Sequence, residues 1–283
     1  MKNKPKIGII GLGFVGGACK DFFSNYNKVY TYDIKVPSNC NNTKELIEKS
    51  DIIFICVPTP MKKNGSTDLT IIYNIFSEIN NLANLKNKYF CIKSTVPIGT
   101  CDDLSKKFNK CNIVFNPEFL TERNALNDFK NQNRIILGGH KKSFKIISDF
   151  YDSIFSNIPI VKTDYKTAEY VKYLTNSFLA TKVSFANEME SLCFELNIDY
   201  SEVVRISTLD PRLGKTHWKV PGIDGKKGYG GSCFPKDIAS LIFQFEENNV
   251  VAPIINASWE RNKNIDRSEQ DWKDLKGRAV SED

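Results

Sequence analysis

Seven short runs of β-branched and aromatic residues, KIGIIG, KVYTYD, DIIFICV, YFCIKS, NIVFN, RIILGG and IPIV, recur between Lys6 and Val161 with amphipathic stretches between them. Strand-like runs alternating with helix-like ones predict βαβ units and a mostly parallel sheet, since parallel strands need a crossover that a helix supplies. Around Pro159 the rhythm changes. From Asp164 to Asn197 no Gly or Pro interrupts a helical pattern in which Ala168, Val171, Phe178, Leu179, Val183, Ala186, Met189 and Leu196 fall mostly on one stripe. Such a helix is about 50 Å long, the length of a connector or a dimer spine. Further helices are predicted near Ser201–Thr208, Pro235–Asn248 and Val251–Ile265, with a long loop from Asp210 to Ser232.

The 283 residues allow one large domain or two ordinary ones. The changes of rhythm divide them into a sheet domain over 1–163, a helical central and dimerisation domain over 164–265, and a polar tail over 266–283, polar enough to fray. Hydrophobic residues at 41% and charged ones at 25% exclude disorder and low-complexity assemblies. No apolar run reaches the roughly 18 residues that span a bilayer, and no signal-like segment opens the chain, so no membrane partner and a cytoplasmic address are expected. The 39 basic and 33 acidic residues leave a net charge of +6, scattered without a cluster. That pattern favours small anionic ligands over nucleic acid. Of eight cysteines, Cys56 and Cys91 lie in strand-like runs and read as buried thiols. With no C-x-x-C and only His140 and His217 as histidines, no metal site is expected.

GLGFVG follows the first strand, with Gly11, Gly13 and Gly16 in G-x-G-x-x-G spacing ahead of a helix-like segment. Gly11 suits a tight turn, Gly13 a close approach of backbone to pyrophosphate, and Gly16 tight helix packing. The second strand ends in Asp33, 33 − 11 = 22 residues beyond the first glycine, where a carboxylate accepts hydrogen bonds from an adenosine ribose. Asp33 favours NAD over NADP, with Lys35 as a counterweight. The fold class is therefore α/β: an N-terminal Rossmann-like parallel sheet, a long connecting helix, and a small all-helical central domain.

A second segment, GYGGSCFPKD from Gly228 to Asp237, strips side-chain bulk from around Cys233 and places Pro235 at the start of a helix. At a helix N-terminus, with Lys236 near, a thiol is favoured as thiolate. Cys233 is thus a candidate nucleophile, a buried spectator cysteine being the alternative. Lys172 and Asn176, four apart on the long helix, share a face and can converge on one oxyanion. On spacing alone they read better as a solvated surface pair. STVPIGT and NPEFLTE each follow a predicted strand, so Thr95, Glu118 and Glu122 can face a ligand crevice, although loop polarity also explains them.

In this order, GLGFVG, Asp33, VPTP (57–60), STVPIGT, NPEFLTE, the Lys172 and Asn176 pair, DPRLG (210–214) and GYGGSCFPKD resemble the UDP-glucose/GDP-mannose dehydrogenase family over roughly residues 5–265. The resemblance implies NAD as cofactor and oxidation of a sugar alcohol to a carboxylate by two hydride transfers, from UDP-glucose to UDP-glucuronate or, alternatively, on GDP-mannose. It makes Cys233 the thiol that holds a thiohemiacetal and then a thioester. By the same implication Lys172 and Asn176 stabilise the oxyanion, Asp237 shuttles protons with a water, Glu118 is acid/base in hydrolysis, and Thr95 holds the water. Cofactor contacts are implied for Gly11, Gly13, Phe14, Val15, Gly16, Asp33, Lys35, Val57, Pro58, Thr59, Thr95, Glu122 and Lys236. Substrate contacts are implied for Glu118, Phe119, Leu120, Lys172, Asn176, Arg212, Tyr229 and Gly230, with a UDP-sugar and a second copy of the chain as partners. The chain ends where family members continue into a UDP-gripping domain, which reads as a truncation. Two rival readings are a two-electron β-hydroxyacid dehydrogenase and a non-catalytic, dimerising NAD-binding remnant.

Overall fold

The computed structural model describes residues 4–282, which divide into two compact units. The first comprises residues up to Thr59 together with Leu69–Lys172; the second comprises Pro60–Asp68 and residues from Tyr173 onward. In the first, β1 (Ile7–Ile10), α1 (Phe14–Phe23), β2 (Val29–Tyr32), α2 (Thr43–Lys49), β3 (Ile52–Ile55), α3 (Thr70–Asn80), β4 (Tyr89–Ile92), α4 (Thr100–Lys107), β5 (Asn112–Phe115), α5 (Ala125–Lys130), β6 (Ile135–Gly139), α6 (Lys141–Asp152) and β7 (Ile160–Thr163) follow one another. The strands form one seven-stranded sheet in the order β2-β1-β3-β4-β5-β6-β7. All pairings are parallel except β5 with β6. Each predicted strand run is thus a strand, and the mostly parallel sheet is observed.

The period of two sorts the side chains onto two faces. Ile10, Ile53, Ile55, Phe90, Ile92, Ile113 and Phe115 join one core cluster, while Ile7, Ile9, Ile52, Phe54, Cys91 and Val114 join the other. Burial on both sides is why the central runs are apolar at every position. Chain order reverses at β1, which lies between β2 and β3. The carboxyl ends of strands at such a switch point form the ligand crevice of an open α/β sheet.

The second unit holds α7 (Tyr165–Glu195) from Tyr173 on, α8 (Tyr200–Ser207), α9 (Phe234–Glu247) and α10 (Pro253–Arg261). α7 runs unbroken for 31 residues, as the uninterrupted pattern predicts. Its faces differ from the expected stripe. Phe178 and Leu196 are exposed, while Glu169, Lys172, Asn176, Ser184 and Asn187, successively three, four, eight and three residues apart, are buried, so the helix hides polar side chains along its inner face.

Residues 266–282 are not a fraying tail. Trp272 and Ala279 are fully buried with Met61 and Ala239, and the backbone pairs with the Pro60–Asp68 segment: Met61 N–H donates to Ala279 O at 2.9 Å and Ser281 N–H to Met61 O at 2.9 Å. One buried tryptophan outweighs the polar composition around it, because a large aromatic side chain contributes most of the apolar burial available to so short a segment.

Candidate active site

In the first unit the three glycines of the β1–α1 turn differ in their surroundings. Gly11 has φ +87°, and a Cβ there would lie 2.7 Å from the Cys56 carbonyl oxygen. A Cβ on Gly16 would lie 1.9 Å from the Gly11 carbonyl oxygen, so α1 packs onto the turn only without one. Above Gly13 there is open space. Gly13 is the N-cap of α1, supplies no side-chain cap, and is followed by a first turn without acidic residues, so the helix N–H groups and dipole face a cradle suited to a pyrophosphate. Gly11 and Gly16 thus stand where the turn and the helix packing leave no room for a side chain.

Two replacements separate these roles. Gly16→Ala is expected to destabilise the first unit by about 3 kcal/mol, the upper range for overpacking. Gly13→Ala should leave the unfolding temperature within error while lowering NAD⁺ affinity about tenfold, or about 1.4 kcal/mol. Thermal unfolding read beside NAD⁺ titration checks both, and unchanged affinity in Gly13→Ala would remove the cradle assignment.

Asp33 follows β2 directly and ties the turn down: Oδ2 accepts from Leu12 N–H at 2.6 Å, and Oδ1 from the N–H groups of Lys35 and Val36 at 2.7 and 3.0 Å. Phe14 and Val15 are half-buried in the first turn of α1, and Lys35 is exposed. The loops after β3, β4 and β5 are interlocked at the same end of the sheet. Thr59 Oγ1 donates to Thr95 O at 2.7 Å, Ser94 Oγ to Val57 O at 2.6 Å, and the buried Lys93 ammonium to Asn116 Oδ1 at 3.0 Å. Pro58 and Glu122 are exposed.

Glu118 and Lys172 form a buried ion pair, 6% and 3% exposed at their side chains, with Nζ 3.1 Å from Oε1. The same ammonium donates to Glu118 O at 2.6 Å and lies 5.4 Å from the Phe119 ring centre, while Glu118 Oε2 accepts from Leu120 N–H at 2.6 Å. Lys172 is therefore no solvated surface residue, and one of its three N–H donors remains for a ligand.

Sequence reasoning missed Glu169. Fully buried one turn before Lys172, its carboxylate accepts from Gly99 N–H at 2.6 Å and Cys101 N–H at 2.8 Å, capping α4 and fixing the end of the STVPIGT loop. Burial pushes its carboxyl up to about 7 against the pull of those two N–H groups. The i, i+3, i+7 spacing of Glu169, Lys172 and Asn176 is the signal that could have found it.

In the second unit Cys233 is the half-buried N-cap of α9, with Phe234 and Pro235 as the first helical residues. It is not enclosed by hydrocarbon. Asp237, in the first turn of α9 and 1% exposed, accepts from Asn176 Nδ2 at 2.6 Å and from Lys236 Nζ at 2.5 Å. Arg212 is exposed and paired with Asp210. Tyr229 lies in the loop that leads to Cys233. It is 4% exposed, packed with Ala180 and Ile238 and stacked on Trp259, so its ring is core, because a pocket among apolar and aromatic side chains holds it more favourably than water does. Gly230 lies beside it in the loop.

No group of three His, Cys, Asp or Glu residues is placed to hold a metal ion among the described residues. Among the same residues no helix is long and apolar enough to cross a membrane.

The sheet order and the glycine turn define a Rossmann-type dinucleotide-binding unit. The chain belongs to the UDP-glucose/GDP-mannose dehydrogenase family: residues 36–158 match that family's NAD binding domain and residues 166–264 its central domain. The chain is 37% identical over 227 residues to a putative UDP-glucose 6-dehydrogenase, YtcA, of Bacillus subtilis, covering 77% of this chain and 51% of that protein. It is 34% identical over 322 residues to the UDP-glucose 6-dehydrogenase TuaD of the same organism, covering 98% of this chain and 68% of that one. Among solved structures, a UDP-glucose dehydrogenase from Pyrobaculum islandicum superposes with a TM-score of 0.81 at 27% identity, covering 93% of this chain and 68% of that chain. The chain thus spans about half the length of the first of these relatives.

Proposed function

We propose that the chain oxidises the sugar's primary alcohol in UDP-glucose to the carboxylate of UDP-glucuronate, in two successive two-electron steps. The observation that carries this reading is the half-buried Cys233 thiol at the N-terminus of α9, with Asp237 buried in the same helical turn on Lys236 and Asn176. When bound, NAD⁺ supplies the hydride acceptor, and a fresh NAD⁺ serves the second step. Gly11, Gly13, Phe14, Val15 and Gly16 would hold its pyrophosphate, Asp33 and Lys35 its ribose end, and Val57, Pro58, Thr59, Thr95, Glu122 and Lys236 its remaining length.

Asp237, through a water, takes the alcohol proton as hydride leaves the carbon, giving an aldehyde. The Cys233 thiolate adds to that carbonyl carbon, and the thiohemiacetal oxygen is stabilised by Lys172 and Asn176. Loss of a second hydride from that carbon leaves a thioester. Glu118 draws a proton from a water held by Thr95, the water attacks the thioester carbon, and Cys233 leaves as thiolate. The sum is one alcohol, two NAD⁺ and one water giving one carboxylate, two NADH and three protons. Phe119, Leu120, Arg212, Tyr229 and Gly230 would contact the substrate. A thiol needed in reduced form suits the cytoplasm.

Absorbance of NADH with UDP-glucose, set against product counted by chromatography, is the test. Two NADH per uronate support the reading. One NADH with a carbonyl product supports a two-electron dehydrogenase instead, no NADH with NAD⁺ still bound supports a non-catalytic remnant, and turnover of GDP-mannose alone moves the substrate.

A homodimer through α7 belongs to the same proposal. Leu174, Phe178, Phe185 and Leu192 are each more than half exposed and are spaced by four, seven and seven, the seam of a helix that packs against another helix. Sedimentation equilibrium should give a dimer, and Phe178→Glu with Phe185→Glu a monomer. A monomeric parent chain removes this part.

A further inference from the structure

We infer that Asn262 is a positioning residue for Cys233, acting with Arg267 through the backbone of the Gly228–Gly231 loop; this rests on the reading of Cys233 as the nucleophile. α10 ends at Arg261, and Asn262–Asp266 continue as a single π turn. Such turns are rare and occur frequently at functional sites, where the changed helical phase re-aims a side chain. Here the aimed side chain is Asn262, wholly buried. Its Oδ1 accepts from Tyr229 N–H at 2.8 Å and its Nδ2 donates to Tyr229 O at 2.9 Å. One amide side chain thus grips both polar groups of one peptide residue, as a neighbouring strand would.

The two glycines beside Tyr229 show how closely the loop lies on this support. A Cβ on Gly228 would be 2.4 Å from Asn262 Oδ1, and one on Gly230 would be 2.5 Å from the Arg267 guanidinium carbon. Arg267 is itself 4% exposed and locked by Asp271, at 2.9 and 2.8 Å, and by Asp224 at 2.7 Å. A loop with three glycines in four residues has little conformational preference of its own. Held at Tyr229 and pressed on Arg267, it has only Gly231 and Ser232 left before Cys233 begins α9. The grip therefore sets where the thiol stands relative to the helix N–H groups that favour its thiolate. Only asparagine fits. Aspartate has the same shape but offers no donor to Tyr229 O, and glutamine is one methylene too long for the closed site.

The test uses the full chain and the pH dependence of iodoacetamide labelling at Cys233, read on its own peptide by mass spectrometry, with Cys233→Ser as blank. Asn262→Asp should move the thiol's titration midpoint upward by about one unit and slow labelling at pH 7 about tenfold, with NAD⁺ affinity within twofold of the parent. Turnover should fall through kcat, with KM for NAD⁺ unchanged. If Asn262→Asp does not fold, Arg267→Lys, which keeps the charge and loses the planar fork, carries the same expectation. An unchanged labelling profile in a folded, NAD⁺-binding variant overturns the inference. Labelling needs no substrate, so a chain that does not oxidise UDP-glucose yet shows the shift refutes the functional reading and leaves the positioning intact, and the reverse result does the opposite.

Discussion

Replacing Cys233 by serine is expected to abolish uronate formation while leaving a folded, NAD⁺-binding chain. Serine is of similar size to Cys233, is among the preferred capping residues, and its hydroxyl can replace Sγ in the 3.9 Å contact with Ser232 Oγ, so the fold is expected to survive the change. The chemistry loses its nucleophile. A serine hydroxyl is not ionised near neutrality, adds to an aldehyde reversibly, and offers a poor path to an acyl intermediate. Turnover should fall by on the order of 10³-fold or more, the scale on which removal of a catalytic nucleophile is felt. Any residual NADH should then approach one per sugar, because the first oxidation needs no thiol. NADH yield, product analysis and thermal unfolding of the same preparation check this. Uronate formed at the parent rate would eliminate the thioester route and with it the assignment of Cys233.

The sheet was legible because parallel strands covered on both faces leave so strong a mark. Ile52–Ile55 and Ile7–Ile10 are apolar at each position except Gly8, and all of both strands is buried. α7 was legible in length because nothing within it stops a helix, yet its orientation was not. Counting apolar residues placed Phe178 inside, whereas the structure buries Asn176 and Ser184 and exposes Phe178. Periodicity identifies a stripe but assumes that the buried stripe is the apolar one. A helix that hides polar groups and shows an apolar seam inverts that assumption.

The candidate site was legible where local chemistry is written in consecutive residues, as in the glycine turn and in Cys233 at the N-cap of α9. It was not legible where partners are distant in sequence. Glu169 reaches Gly99 and Cys101, and Asn262 reaches Tyr229, through contacts that only folding creates. The packing of the Tyr229 ring with Ala180 and Trp259 was hidden for the same reason, since its loop position gives no sign of it.

The Lys172 ammonium has two tasks that mutation can pull apart. Structurally it neutralises Glu118 where neither side chain meets water, and deleting one member of a buried ion pair leaves an uncompensated charge that costs about 3–5 kcal/mol. Lys172→Met should therefore destabilise the first unit by that amount. Adding Glu118→Gln should restore a large part, since an amide oxygen can still accept from Leu120 N–H and no buried charge remains. Chemically, the proposal gives Lys172 the thiohemiacetal oxygen from which the second hydride is lost and gives Glu118 only the later hydrolysis. Glu118→Gln alone should then still produce a burst of two NADH per site and stall as thioester. The double variant, restored in stability, should show that burst slowed about 10²–10³-fold, the usual effect of removing an oxyanion donor. Chemical unfolding provides the first comparison and stopped-flow absorbance the second. A double variant with an undiminished burst would confine Lys172 to holding Glu118 in the fold, leaving Asn176 as the only proposed donor to the oxyanion.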